Sequence, residues 1–249
     1  MMSGCGCSIC RKRRCRRLRI STSHAPGCCR NLLHAGRRCA TLPFFLAVGD
    51  GAAANVGSGC VGGGQMALSL GTTAALRVVS SDPRPPVPRG MWSYRICAGL
   101  HLIGGATSEG GNIFEWTTQT LALPDDAERQ LQARAPDVHG LTFLPLLAGE
   151  RSPGWQASAT GVIDGLRLST TPLDILQAAL EGVALRLAII AEQALTGASP
   201  ATRSSRSSPA EERWKPRPPW AQMFADALNR PLSLAGESEI TARGTAIWR

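Results

Sequence analysis

The stretch GVIDGLRLSTTPLDILQAALE, residues 161–181, decides the fold. Gly161 to Leu166 reads as a short strand closed by a glycine turn. Thr171-Pro172-Leu173-Asp174 then opens a helix. Threonine can cap, proline suits the first helical position, and an acid three residues after the cap favours the helix dipole. Leu176, Leu180, Val183, Leu187 and Ile190 form one apolar stripe at spacings of four and three, the pattern of a helix face buried against a sheet. Gly197 and Pro200 end it.

Upstream of this unit the text alternates in strand and helix periods. Phe44 to Val48 is a short apolar strand, and Gly49 to Gly57 reads as a Gly/Ala/Asn turn region. Met66–Leu70 and Ala74–Val79 are two β-rich runs bent at Gly71-Thr72-Thr73, which predicts a hairpin. After a proline-rich loop, one further strand is expected around Ser93 to Ile103. Ile113, Trp116, Thr117, Thr120 and Leu121 fall at helical spacing. Downstream, Trp220, Met223, Phe224, Ala227 and Leu228 predict a helix that stops before Pro231. Strands interleaved with helices in this way describe an α/β layered domain.

The charge of the chain is unevenly spread. Its net +9 comes from ten basic residues between Arg11 and Arg38, unaccompanied by any acid; the remainder is close to neutral. The globular part therefore asks for no polyanionic partner, and a nucleic-acid role would concern only that arm. Seven of nine cysteines lie in the same segment, leaving Cys60 and Cys97 beyond it, so a reducing compartment is the simpler assumption. Cys5, Cys7, Cys10 and Cys15 invite a zinc reading, but no histidine or second Cys-x-x-Cys closes the set. The arginine run also has the texture of a transit peptide. Residues 1–42 are best described as a disordered basic tail, with residues 43–249 as the domain. No apolar run is long enough to cross a bilayer; Ala178 to Leu195 is broken by Glu181, Arg186 and Glu192.

Five segments in order carry a resemblance: Gly49-Asp50-Gly51-Ala52-Ala53, Leu70-Gly71-Thr72-Thr73, Gly110-Gly111-Asn112, Leu144-Pro145 through Gly149-Glu150-Arg151-Ser152-Pro153, and the 161–181 stretch. Together they resemble the C-terminal half of the FGGY carbohydrate kinases, nearest in texture to the gluconate/xylulose branch. The resemblance implies an α/β domain of the actin-like ATPase (ribonuclease H-like) fold, one of two domains in a cytoplasmic enzyme. It implies ATP and Mg2+ as cofactors and a sugar or sugar acid as substrate. It places Asp50 as the base that takes the proton of the substrate hydroxyl, which suits phosphoryl transfer, where positioning does most of the work. Gly71, Thr72 and Thr73 become a phosphate turn, and Gly111 and Glu115 lie on the helix that faces the nucleotide. Glu150 and Arg151 read as a loop-fixing ion pair.

Three departures accompany it. The N-terminal sugar-binding domain of relatives has no counterpart in the sequence before Leu42. Residues 201–219 contain no glycine where relatives carry a strand and an adenine-side glycine turn, and prolines 216, 218 and 219 stand there instead. A family-like final helix over Glu237–Ala246 is followed closely by the end at Arg249. The Arg/Ser/Pro/Cys composition shared by the first forty residues and by 201–219 suggests text read out of frame and predicts poor order in both. The chain alone is accordingly expected to be catalytically inert, with a non-catalytic kinase remnant as the alternative to an active half-enzyme.

Overall fold

The computed structural model describes residues 48–62, 65–97, 99–198, 208–212 (backbone only), 218–234 and 239–247. The expectations for residues 1–42 and for a strand at 44–47 lie outside these residues. A six-stranded sheet is built from β1 (Met66–Leu70), β2 (Ala74–Ser80), β3 (Trp92–Cys97), β4 (Leu100–Thr107), β7 (Ser208–Glu212) and β8 (Leu232–Leu234), in the order β3-β4-β2-β1-β7-β8. The first four strands pair antiparallel, and β7 and β8 extend the sheet in parallel from β1. β5 (Thr142–Leu144) and β6 (Val162–Asp164) form a separate two-stranded sheet.

The helix predicted from Thr171 is α4 (Pro172–Thr196). Thr171 and Asp174 form a reciprocal capping box, which stabilises such a helix start by about 1 kcal/mol. All five stripe residues are buried, and they meet Leu68, Leu76, Val78 and Ile103 in the main core. The other residues of the 161–181 stretch tie this helix to the loop before β5. Glu181 accepts from His139 Nε2 at 3.1 Å and from Gln177 Nε2 at 2.8 Å. His139 Nδ1 accepts from the Leu141 amide, which leaves the ring proton on Nε2 for Glu181. Asp174 also takes Arg134, and Gln177 bridges Arg134 and the Ala135 carbonyl. Burial pushes the Asp174 carboxyl up, but the cap hydrogen bonds and Arg134 outweigh it and hold the group below the usual carboxylate range.

On the opposite sheet face lies α1 (Asp50–Gly57), where Ala52 packs on Val79 and Leu102. The expected turn region is thus a helix, and a tertiary contact explains it: α6 (Ile240–Ile247) presses on it at two glycines. A Cβ at Gly57 would stand 1.9 Å from the Ile240 carbonyl oxygen, and one at Gly244 1.7 Å from that of Ala53. Helices on both faces of a mixed sheet make the domain a three-layer α/β fold. The remaining helices among the described residues are α2 (Gly111–Thr120), α3 (Ala127–Gln132) and α5 (Pro218–Leu228); α5 docks through Trp220, whose Nε1 donates to the Leu180 carbonyl.

Three further expectations need correction. The single strand at Ser93–Ile103 is a hairpin, β3 and β4, turning at Gly99 with φ +81. The loss of the relatives' strand over 201–219 is not complete, because at 208–212 β7 pairs Leu68 with Ala210 and Leu70 with Glu212. Glu150 pairs with Arg186 of α4 rather than with its neighbour Arg151, which is exposed.

Candidate active site

Two groups of the sequence-predicted residues occupy this domain, one at the hairpin bend and one above the sheet. At the bend, the Gly71 amide donates to the Thr73 carbonyl at 2.9 Å, which curls the turn and leaves Thr72 and Thr73 exposed. The start of α2 is clamped to this bend: the Gly111 amide donates to the Gly71 carbonyl at 2.6 Å, and the Asn112 amide to that of Thr72. Gly110 makes the contact sterically possible, since a Cβ there would lie 2.5 Å from the Thr73 carbonyl carbon. Its own amide donates to Asn112 Oδ1. The structure therefore brings Gly71, Thr72, Thr73 and Gly111 together. Glu115 sits one helical turn further along α2, exposed and accepting from Gln119.

Asp50 opens α1 and is exposed, its Oδ1 accepting from the Gly51 amide at 2.6 Å. Gly51 rests on the side chains of Tyr94 and Arg77. Arg77 Nη1 donates at 2.8 Å to Ser69 Oγ, one residue before Leu70 and the bend. The link from Asp50 to the Gly71–Thr73 bend thus runs through Arg77 and Ser69, on the sheet face that carries α1.

Sequence reasoning missed Arg77, Tyr94 and Glu109. Arg77 had a legible signal, because it stands between Ala75 and Val79 on an otherwise apolar face of β2. Glu109 precedes the paired glycines and is only 2% exposed. Its Oε1 accepts from the Ala148 amide at 2.7 Å, tying the start of α2 to the loop that carries Glu150. With Glu150, Ser152 and Arg186 it lines a small cleft.

A match to the family model described as the FGGY family of carbohydrate kinases, C-terminal domain, spans residues 66–204, more than half of the chain. The chain belongs to the FGGY carbohydrate kinases. A gluconokinase of Bacillus licheniformis is 30% identical over 158 residues, covering 58% of this chain and 31% of that protein. An apulose kinase of Pectobacterium atrosepticum is 29% identical over 213 residues, 83% of this chain and 42% of its own length. Among solved structures, a xylulose kinase from Lactobacillus acidophilus superposes with a TM-score of 0.74 at 25% identity, again over 83% of this chain and 42% of that one. The FGGY chain described here thus spans a third to two fifths of the relatives it matches. No helix among the described residues is long and apolar enough to cross a membrane.

Burial of Glu109 in this FGGY domain raises its carboxyl above the usual carboxylate range, against the opposing pull of the Ala148 and Leu147 amides and Arg186. The folded chain therefore keeps this proton to higher pH than the unfolded chain, and stability falls as pH rises upward from 4.5 through the folded value. Glu109→Gln keeps the shape and removes the ionisation. The stability of the native chain minus that of the variant, from denaturant melts, is expected to fall with rising pH across this window. A difference that stays flat would contradict the assignment.

Proposed function

We propose that this chain supplies the nucleotide-side half of an ATP-dependent kinase acting on a sugar or sugar acid, with Asp50 as its catalytic base. The observation that supports this most is the clamp between the Gly71–Thr73 bend and the start of α2. It leaves Thr72 and Thr73 exposed side by side at the bend, which suits phosphate oxygens. The first α2 amides are already used by the bend, so the hydroxyls of Thr72 and Thr73 carry the phosphate contacts, while Gly111 lets the nucleotide approach the backbone and Glu115 lies at its edge. When bound, ATP supplies the phosphoryl group and magnesium offsets its charge. Among the described residues no three His, Cys, Asp or Glu side chains converge as a dedicated metal cage. That fits an ion that would be held mainly by phosphate oxygens and water. Asp50 orients the acceptor hydroxyl and would take its proton as that oxygen bonds to the γ-phosphorus and the bond from phosphorus to the departing ADP breaks.

In-line transfer needs both reactants held together between closing domains. The 249-residue chain alone is therefore expected to phosphorylate no member of a panel of gluconate, xylulose, apulose and glycerol. Joined to the N-terminal region of a gluconokinase relative, it is expected to phosphorylate at least one. Turnover by the chain alone would overturn the half-enzyme reading, and an inert but folded chimera would overturn the kinase reading.

A further inference from the structure

We propose that Arg77 and Tyr94 form a seat beneath the first turn of α1 that fixes the direction of the Asp50 carboxylate. The proposal rests on reading Asp50 as the base, and makes both residues positioning residues. Asp50 Oδ1 is held by the amide of Gly51, so the carboxylate points where the Gly51 backbone points. Gly51 in turn lies directly on the seat: a Cβ there would stand 2.5 Å from Tyr94 Oη and 2.9 Å from Arg77 Nε. Only a residue without a side chain lets the helix start settle so low.

The seat is itself braced. Arg77 donates to Ser69 Oγ through Nη1, and its guanidinium lies with the Tyr94 hydroxyl against Gly51. The Tyr94 ring stacks on Trp92 at a centroid distance of 5.2 Å, and Trp92 lies across Gly104, whose missing Cβ leaves it room. Strand register places Arg77, Gly104 and Trp92 in one row, with Tyr94 beside Leu102 in the next. Arg77 Nε, although buried, has no hydrogen-bond partner among the described residues and lies against Gly51 instead. A cation buried for packing alone is costly, and holding an anionic base in register offsets that cost.

The chain has a single tyrosine, so its tyrosinate absorbance reports Tyr94 alone. Partial burial lifts this phenol, still 36% exposed, above its ordinary value, the Arg77 charge opposes the rise, and the Asp50 charge adds to it; among the described residues these are the two charges that act on it. In the full chain, Asp50→Asn is expected to lower the titration midpoint and Arg77→Gln to raise it. A midpoint unmoved by Asp50→Asn would overturn the seat. So would a downward shift in both variants, because mere loosening and hydration of the ring lowers both. Circular dichroism at each pH shows that the titrating species is folded. Should Arg77→Gln unfold, the exposed Asp50 position alone decides the matter. MgATP binding on the same samples tests the kinase reading separately: coupling without binding sinks the kinase and keeps the seat, and binding without coupling does the reverse.

Discussion

Asp50→Asn, made in the chain joined to a relative's N-terminal region, is expected to lower kcat by about 10²–10⁴-fold, the usual contribution of a positioned base. Affinity for MgATP should stay within about threefold, because Asp50 acts on the acceptor hydroxyl and only its attacking step changes between ground and transition state. The substitution should leave the fold untouched. Asp50 is exposed, its carboxylate accepts a hydrogen bond from the amide of the next residue, and asparagine keeps an oxygen for that amide. Loss of activity with an unchanged melting curve therefore reads as chemistry. A variant as fast as its parent would remove Asp50 from the mechanism.

Leu187→Ala is expected to cost about 2–5 kcal/mol, the range for removing a buried leucine from a packed core. Leu187 is fully buried in the α4 stripe, between Val183 and Ile190, where α4 crosses the sheet. The loss combines the transfer free energy of the missing methyl groups with the cavity they leave, and a helix held on both sides cannot collapse to fill it. Against a total stability of about 5–15 kcal/mol for an ordinary domain, this is a large fraction. Leu185, two positions away and 57% exposed, provides the control. Its alanine variant should stay within about 0.5 kcal/mol of the parent in urea unfolding. Equal costs at the two positions would mean that α4 does not lie on the sheet as described.

The parts of this fold that were legible in the sequence are those dictated by local chemistry. The α4 cap, its stripe, and the bend at Gly71 between β1 and β2 each follow from residues close together in the chain. What escaped was fixed from a distance. Gly49 to Gly57 has the composition of a turn, and it becomes helix because Gly57 and Gly244 let two helices touch backbone to backbone. Glu150 finds Arg186 from 36 positions away, a pairing that adjacency with Arg151 concealed. The β7 strand contains Pro209 and two glutamates, so no strand pattern marks it; its place comes from the open edges of β1 and β8. Of the candidate site, the bend and Gly111 were legible and prove to be neighbours. The support of Asp50 was not, because Arg77 and Tyr94 lie on different strands and meet only through the β2-β4-β3 register.

We propose the Gly71–Thr73 bend, clamped to the start of α2, as a nucleotide phosphate seat. Equilibrium binding of MgATP to the full chain, compared with its Gly110→Ala variant, tests it most directly. A methyl group at Gly110 would stand 2.5 Å from the Thr73 backbone and must push the bend and the helix apart. The account predicts saturable binding by the native chain, weakened by about tenfold or more in the variant, a loss near 1.4 kcal/mol. No binding by the native chain, or equal binding by both, would contradict it.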